Sequence, residues 1–404
     1  MGQLDGLLVL DLSRVLAGPL TGQMLADLGA RVIKVEQPGT GDESRSYGPP
    51  FFEHGQAHES AFFLSANRSK QSVTIDFSTP EGQSIVRRLA EKADVLIENF
   101  RVGTLARYGL GYEQLKVINP RLVYCSLTGF GQDGPSHQRP GYDAIFQAMG
   151  GLMSSIGHPD GAPGGGPLRT GLSITDVFTS LYADVAIVSA LYARDARGGT
   201  GEHIDMALLD ATVATMSHYA QHYLVAGQQP PRRGNGGNGG VPSQAFQCSD
   251  NLVMLTVGND AQFGRFAKAL GHPQWLQDAR FATGVARIRH RDVLTPLIEK
   301  VFLGKPAQYW LDVLLAADIP VGLVQDMAQV FADPQVRHRG MEQTLPHACG
   351  APVRLVANPI RFREQPLAPG TAPPLLGQHT DEVLARELGL DATEIARLRK
   401  QGVI

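Results

Sequence analysis

The sequence predicts an α/β protein, with a doubly wound, mostly parallel sheet in a large domain and a second, smaller α/β domain. The chain has 404 residues, more than one hydrophobic core usually organises, so we expect two domains. In the first third, short β-branched runs alternate with amphipathic stretches. These runs are almost wholly apolar, which is typical of a sheet covered by helices on both faces.

The order of elements in the first third indicates βαβ units around a parallel sheet. The predicted strands are Leu7–Leu12, Arg31–Glu36, Ser72–Phe77, Asp94–Phe100 and Arg121–Leu127. The clearest helix signal lies between the third and fourth strands, where Thr79 suits the N-cap and Pro80 the first helical position. Ile85, Val86 and Leu89 then form an apolar stripe.

Composition shifts predict the domain boundaries. We expect residues 1–225 to form the first part of the large domain and residues 226–330 the small domain, because a Pro/Gly/Arg-rich stretch follows residue 226. Residues 331–404 carry a β-like segment, a Pro-rich link and a last helix, and are predicted to return to the large domain. A basic cluster at Arg287, Arg289 and Arg291 is interpreted as a solvated helix face.

Charge and cysteine usage narrow the function classes. The formal net charge is −3 with no Lys/Arg run, so nucleic-acid binding has no electrostatic support. Cys125, Cys248 and Cys349 lie far apart without CxxC spacing, which favours a reducing cytoplasm over a zinc site or a disulfide framework. We expect no leader peptide, because the N-terminus has neither a basic n-region nor an apolar h-region. We also expect no membrane span, since Asp184 interrupts the longest apolar run, Gly171–Leu191.

The first strand-loop-helix has the outline of a dinucleotide fold, with Glu36 placed to bind a ribose. The loop Asp11–Pro19 lacks the GxGxxG turn that brings backbone N–H groups onto a pyrophosphate, which disfavours NAD binding. The glycine-rich loop Arg232–Gly240 permits close approach to a substrate, and the pattern leaves a mobile lid and a plain linker open. Gly161–Pro167 is interpreted as a surface connection.

Two carboxylates stand out in the run Gly171–Leu191. Asp176 precedes a helix-like stretch that closes at Gly198 and Gly199, so it is placed to be an N-cap. Asp184 shares a helical stripe with apolar residues, where a carboxylate needs a partner or an interface. The pattern alone decides neither role.

An ordered series of motifs along nearly the whole chain resembles the class III CoA-transferases, also called the CaiB/BaiF family. The motifs are "LDGLLVLDLSRVLAGPLTGQMLADLGARVIKVEQPGTGDESR", "NRSKQSVTIDFSTPEG", "ADVLIENFRVGTLARYGLGYE", "SLTGFGQDGP", the glycine loop and "PPLLGQHTDEVL". By position in "SITDVFTSLYA", the resemblance implies that Asp176 is the nucleophile, while Asp184 matches no family motif. It also implies that Gly237, Asn238, Gly239 and Gly240 form a lid that keeps water from reactive acyl intermediates.

The resemblance further implies a Rossmann-like, CoA-binding large domain. The implied CoA contacts are Arg14, Leu16, Ala17, Asn67, Arg68, Lys70, Asn99, Phe100 and Arg107. Gln37 departs from the family pattern, which has an arginine on the adenine side. The family also implies an interlocked homodimer that uses CoA esters as substrates, with no tightly bound cofactor, metal, nucleic acid or membrane partner.

Within this family, the sequence favours a transferase over a racemase. The racemase branch uses a histidine base in a "GHDINY"-like segment, where this chain reads "GYDAIF" with Tyr142. The segments "RVLAGP" and "VPSQAF" most resemble the succinyl-CoA-dependent dicarboxylate branch, so succinyl-CoA is the expected donor and glutarate or itaconate the expected acceptor. Arg139, Arg169 and Arg233 are alternative clamps for a distal carboxylate. A non-catalytic or NAD-binding α/β protein is the other alternative to a transferase.

Overall fold

The computed structural model describes residues 2–55, 57–237 and 239–404. The chain divides into two compact units. The first unit comprises Met1–Leu152, Thr170–Ser217 and Gln335–Ile404, and the second comprises Met153–Arg169 and His218–Pro334.

Strands and helices are numbered in chain order. The strands are β1 (Leu8–Asp11), β2 (Arg31–Glu36), β3 (Phe51–His54), β4 (Ala57–Ser60), β5 (Lys70–Thr74), β6 (Val95–Glu98), β7 (Val123–Thr128), β8 (His203–Ala207), β9 (Ser243–Gln247), β10 (Leu252–Thr256), β11 (Val321–Leu323), β12 (Glu342–Pro346) and β13 (Pro352–Val356). The helices are α1 (Ala17–Asp27), α2 (Ala61–Ser65), α3 (Pro80–Ala90), α4 (Thr104–Arg107), α5 (Tyr112–Ile118), α6 (Asp143–Met149), α7 (Leu152–Ser155), α8 (Ile174–Ala196), α9 (Leu208–Thr215), α10 (Ser217–Ala226), α11 (Asp260–Ala269), α12 (Gly284–Arg289), α13 (Arg291–Phe302), α14 (Ala307–Ala316), α15 (Met327–Ala332), α16 (Pro334–His338), α17 (Thr380–Leu388) and α18 (Ala392–Lys400).

A six-stranded parallel sheet organises the first unit. Its strand order is β5-β2-β1-β6-β7-β8, so the chain moves outward from β1 in one direction and then from β6 in the other. This confirms the doubly wound α/β prediction. The switch in direction lies between β1 and β6, and in open sheets of this kind ligands bind beyond the carboxyl ends of the strands at such a point.

Helices cover both faces of this sheet, as its apolar strands predict. On one face, Leu25 of α1 and Ile187 of α8 pack against β-strand residues such as Val95. On the other, Val86 of α3 and Leu384 of α17 pack against residues such as Leu96. Burial on both faces explains why these strands are largely apolar.

Helix α3 begins as its sequence predicts, whereas β5 lies earlier than expected. Thr79 is the N-cap of α3, its hydroxyl accepts from the Gly82 N–H at 3.1 Å, and Pro80 follows. The third predicted strand began at Ser72, but the parallel ladder with β2 runs from Lys70 to Thr74. Beyond it, the Asp76 N–H bonds instead to the Val403 carbonyl near the C-terminus.

The second unit contains an antiparallel sheet of order β11-β10-β9 and its own core around Phe246, Phe263 and Trp310. Arg287 lies in that core, where it donates to the Val241 and Phe281 carbonyls and pairs with Asp260 at 2.8 Å. The interpretation of this basic cluster as a solvated face is therefore wrong for Arg287. Its guanidinium is buried because three acceptors satisfy it.

Helix α8 has the length and apolar composition of a membrane-crossing helix, which the prediction of no membrane span did not anticipate. One face of α8, with Ala183, Ile187 and Leu191, packs against the large sheet. A core helix passes the same test of length and composition, so the finding is weak evidence for a membrane span. The three cysteines are free thiols, of which Cys125 and Cys248 are buried and Cys349 is half-buried.

Candidate active site

Asp176 lies in the first turn of α8, not at its N-cap. The helix begins at Ile174, Ser173 flanks it, and Asp176 is its third residue. The prediction of an N-cap role is therefore wrong by three positions. In the first turn, the carboxylate still lies at the positive end of the helix dipole, which favours its anion.

Another carboxylate caps this helix. One oxygen of Asp143, the first residue of α6, accepts from the Thr175 N–H at 2.8 Å and from the Thr175 hydroxyl at 2.7 Å. Its other oxygen accepts from the Gln147 amide, which also donates to the Leu172 carbonyl at 3.0 Å. Gln147 is buried, so α6 braces the segment that carries Asp176.

The Asp176 carboxyl group has a pKa near neutral pH. Burial raises its pKa, and the negative charge of Asp143 raises it further, to about 7. Within the described ranges of the chain, no side chain or backbone group hydrogen-bonds to this carboxyl. An unpaired carboxylate with a raised pKa is both free to attack and more nucleophilic than an ordinary one.

Asp176 opens into a cavity of about 250 Å³ within the first unit. We call it the Asp176 cavity; its walls include Arg14, Val15, Leu16, Ala17, Glu43, Asn99, Phe100, Arg101, His137, Arg139, Tyr142 and Asp143. The cavity therefore places the Asp176 carboxyl among arginine side chains, whose charge can neutralise an anion.

A second cavity, of about 570 Å³, shares Arg14, Glu43 and Phe100 with the first. We call it the Gln37 cavity; it is further lined by Leu12, Ser13, Lys34, Val35, Glu36, Gln37, Thr40, Gly41, Asp42, Ser46 and Phe77. Both cavities lie at the carboxyl ends of β1, β2 and β6, where the strand order reverses. The Arg14 guanidinium lies over the Phe100 ring, 4.7 Å from its centroid, on the wall that the cavities share.

The structure brings together five of the nine expected CoA contacts. Arg14, Leu16, Ala17, Asn99 and Phe100 line the Asp176 cavity. Asn99 fixes the loop after β1 in two ways: its oxygen accepts from the Arg14 N–H at 2.8 Å, and its amide donates to the Arg14 carbonyl at 2.7 Å.

The other four lie elsewhere. The Lys70 ammonium is buried and donates to Asp11 at 2.9 Å and Asn67 at 3.0 Å, so a phosphate cannot reach it without breaking these bonds. Arg68 forms an ion pair with Asp27 on the wall of a separate cavity. Arg107 is exposed at the end of α4. The family resemblance implied CoA contacts here, but sequence does not show that the fold pairs Arg68 with Asp27 and Lys70 with Asp11.

The expected lid lies in the second unit. Gly237 and Gly239 are held there by Arg291, which donates to their carbonyl oxygens at 3.1 and 3.4 Å. Gly240 lies close to the Val257 carbonyl, which would stand 2.9 Å from an added Cβ, so only glycine fits without a shift. Asn238 lies outside the described residues.

The remaining predicted residues divide between the two units. Tyr142 flanks α6 and is 67% exposed, and it lies on the wall of the Asp176 cavity. Arg139 lies on the same wall, with its guanidinium 5.0 Å from the centroid of the Phe130 ring. Arg169 and Arg233 belong to the second unit.

Asp143 is not among the site residues that the sequence predicts. Its signal was present in "GYDAIF", where an acidic residue begins a helix directly after Tyr142. That pattern resembles an ordinary first-turn acid, and only the fold shows that its carboxylate caps a different helix, the one that carries Asp176.

Comparison with known proteins decides the family. The model of CoA-transferase family III matches residues 4–380. The chain belongs to CoA-transferase family III. A succinate–glutarate CoA-transferase of Agrobacterium fabrum is 43% identical over 384 residues, which cover 95% of each chain. The human succinyl-CoA:glutarate CoA-transferase is 38% identical over 401 residues, covering 99% of this chain and 90% of the human protein.

A solved structure supports the same assignment. The crystal structure of a CaiB/BaiF family protein from Brucella suis matches with a TM-score of 0.86 and 43% identity, and it covers 96% of this chain and 100% of that one. The resemblance inferred from the ordered motifs is thereby confirmed, and this chain is an enzyme of the CoA-transferase class.

Proposed function

We propose that this family III CoA-transferase moves CoA from succinyl-CoA to a dicarboxylate such as glutarate or itaconate, with Asp176 as the nucleophile. One observation carries the proposal: the unpaired Asp176 carboxyl, with its pKa raised to about 7, opens into a cavity walled by arginines. Similarity to enzymes named for succinate, succinyl-CoA and glutarate supports the choice of substrates.

The first half-reaction transfers the donor acyl group and then CoA to the enzyme. The Asp176 carboxylate attacks the succinyl thioester carbonyl, the C–S bond breaks, and CoA leaves as the thiolate, which gives a mixed succinyl–aspartyl anhydride. The thiolate then attacks the aspartyl carbonyl carbon. Succinate leaves as its carboxylate, and an aspartyl-CoA thioester remains.

The second half-reaction reverses these steps with the acceptor. A carboxylate of glutarate attacks the aspartyl thioester carbonyl and expels the CoA thiolate, which gives an aspartyl–glutaryl anhydride. The thiolate attacks the glutaryl carbonyl, so glutaryl-CoA forms and Asp176 is regenerated. Each intermediate hydrolyses in water, and the loop of Gly237, Asn238, Gly239 and Gly240 is the proposed lid that excludes it.

For CoA, we propose that the nucleotide occupies the Gln37 cavity and the thioester end the Asp176 cavity. The shared wall supports this order, because Arg14 lies between the two spaces and its charge can offset phosphates. In this proposal residues 1–225 and 331–404 form the CoA-binding domain and residues 226–330 the small domain. Asn67, Arg68, Lys70 and Arg107 then act on CoA only after rearrangement, or act on the fold alone.

We propose Arg139 as the first candidate clamp for the distal carboxylate of the acceptor, since it shares the cavity wall with Asp176. Arg169 and Arg233 are the alternatives. We further propose an interlocked homodimer in a reducing cytoplasm, with CoA esters as substrates and no tightly bound cofactor. A racemase role is disfavoured because Tyr142 replaces the required histidine base.

The function is tested by incubating the protein with succinyl-CoA and one acid at a time, and detecting new CoA esters by mass spectrometry. The acids are glutarate, itaconate, citramalate, mesaconate, oxalate and formate. We expect glutaryl-CoA or itaconyl-CoA to form fastest. Asp176→Asn should reduce exchange at least about 1,000-fold, since the step has no other nucleophile. Hydroxylamine should mark Asp176 only when acyl-CoA is present.

Asp210→Asn is the matched control, because Asp210 is an exposed acid in the first turn of α9. It should keep full activity. New CoA esters from none of the acids would contradict the proposed transfer, and an active Asp176→Asn variant with a normal circular dichroism spectrum would contradict the nucleophile.

A further inference from the structure

The loop after β1 contains a strained residue. Val15 has a backbone φ of 70°, in the left-handed region. An L-residue is disfavoured there, and a β-branched one most of all, so the conformation persists only where the surroundings hold it. Val15 lies on the wall of the Asp176 cavity with Arg14, Leu16 and Ala17.

A buried carboxylate holds this strained backbone. The Val15 N–H donates to both oxygens of Asp42, at 3.1 and 3.3 Å. Asp42 comes from the loop after β2, distant in sequence, and is only 2% exposed. A hydrogen bond from backbone to an ionised acceptor is stronger than one between neutral groups, so it can offset local strain.

Asp42 is itself oriented and charged by its neighbours. Its Oδ2 lies 2.9 Å from the Lys34 ammonium, and its Oδ1 accepts from the Ser44 N–H at 2.9 Å and the Ser44 hydroxyl at 2.8 Å. Burial opposes ionisation of Asp42, but Lys34 and these hydrogen bonds outweigh it and hold the pKa well below its usual range. The carboxylate is therefore an anion throughout the working pH range.

The same lysine holds the loop from its other side. Lys34 Nζ donates to the Ser13 carbonyl at 2.9 Å, two residues before Val15. The side chains of Lys34 and Asp42 are almost completely buried, at 0% and 1% exposure. One ion pair thus ties both ends of the turn Ser13–Val15 to the β2 side of the sheet.

We propose that Asp42 is a positioning residue: with Lys34, it holds Val15 in the left-handed conformation and so keeps the loop Ser13–Ala17 in place on the wall of the Asp176 cavity. Without this anion, Val15 relaxes to a negative φ, and the loop that carries Arg14 and begins α1 moves. The acyl group of a bound thioester then meets Asp176 in the wrong orientation, which slows the chemical step more than binding.

Asp42→Asn tests this, because it removes the charge that pairs with Lys34 and keeps the shape. We expect kcat for CoA transfer to fall about 100-fold with a smaller change in KM, the cost of about 1 Å of misplacement. Val15→Gly should rescue it, because glycine takes a positive φ without strain. The double variant Val15→Gly/Asp42→Asn should recover at least about tenfold of the lost kcat.

The control is Asp391→Asn, which changes the N-cap carboxylate of α18 and should leave kcat unchanged. If Asp42→Asn does not fold, Ser44→Ala removes only the hydroxyl bond that orients Asp42, and Val15→Gly should rescue that variant too. A double variant no faster than the single Asp42 variant overturns the positioning role.

The kcat measurement rests on the proposed function, so amide hydrogen exchange supplies a test that does not depend on CoA transfer. Amide exchange in a peptide covering residues 12–20 should be faster in Asp42→Asn than in the parent, because the Val15 N–H loses its charged acceptor. If the parent enzyme transfers no CoA, while exchange in this peptide is still faster in Asp42→Asn than in the parent, the proposed function is contradicted and the role of Asp42 in holding Val15 is supported. Unchanged exchange together with unchanged kcat would contradict the hold.

Discussion

At the scale of single residues, the site depends on two acids with opposite environments. Burial and Asp143 raise the pKa of Asp176, whereas Lys34 and Ser44 lower the pKa of Asp42. The first group can form an acyl bond, and the second remains an anion that holds backbone. The family resemblance of the sequence predicts Asp176 as the nucleophile. It does not indicate Asp143 or Asp42, whose partners Thr175 and Lys34 come from other elements.

The pH dependence of transfer should report the carboxyl of Asp176. Only the carboxylate attacks, so kcat/KM for succinyl-CoA should rise with pH through about 7. Asp143→Asn removes a neighbouring negative charge, which lowers the pKa of Asp176 and moves this acid limb down by roughly 0.5–1 pH unit. Pre-steady-state or steady-state rates between pH 5 and 9 measure the shift.

Gln147→Ala is the matched comparison, since it removes the brace on Asp143 but keeps its charge. Gln147→Ala should lower kcat/KM for succinyl-CoA and leave the acid limb of its pH profile near pH 7. An acid limb that stays in place in Asp143→Asn would show that burial alone sets the pKa of Asp176.

At the scale of elements, hydrophobic periodicity predicted which face of each segment is buried. It did not predict which groups cap the ends of the helices. Thr79 and Pro80 begin α3 as expected, because the capping residue is adjacent in sequence to the helix that it caps. The start of α8 was misplaced by three residues because its cap, Asp143, is not local. The same limit explains Lys70 on β5, whose buried partner Asp11 lies on β1, two strands away in the sheet.

Asp184 on α8 gives an element-scale prediction. The residue is 8% exposed, neither oxygen has a hydrogen-bond partner among the described residues, and burial with the charge of Asp27 raises its pKa to about 9. The folded protein thus keeps a proton that the unfolded chain loses near pH 4. Between these values, stability falls as pH rises.

Asp184→Asn cannot lose that proton, so its stability relative to the parent should improve by about 1.4 kcal/mol per pH unit from pH 5 towards 9. Urea unfolding at several pH values measures this difference. Asp292 is an exposed acid in the first turn of α13. The free energy of unfolding of Asp292→Asn, plotted against pH, should run parallel to that of the parent. Parallel curves for Asp184→Asn as well would mean that Asp184 is ionised in the folded protein.

At the scale of the whole molecule, the sequence predicts the class of sheet but neither the strand order nor the assembly. Short apolar runs separated by helices leave few choices other than a doubly wound parallel sheet. Surface apolar residues are less informative, because periodicity marks them only as members of a stripe. On α8 the residues Leu181, Val185 and Tyr192 are exposed, although their sequence reads as core.

We expect that face of α8 to lie in the interface of the proposed homodimer. Light scattering should give twice the mass of one chain at micromolar concentration. Val185→Glu, at a residue 66% exposed on α8, should shift the mass towards the monomer or cause aggregation, because it places a charge in an apolar contact. Val117→Glu, at a residue 77% exposed on α5, should have no effect. A parent protein that is monomeric at this concentration would count against the dimer.

The unequal burial of the three thiols makes the protein easy to label at one point. Burial raises the pKa of Cys125, and of Cys248 to about 11, so neither forms the thiolate that reacts with maleimides near pH 7. Cys349, in the turn between β12 and β13, is the accessible thiol. A fluorophore can therefore be attached there without engineering, far in sequence from Asp176.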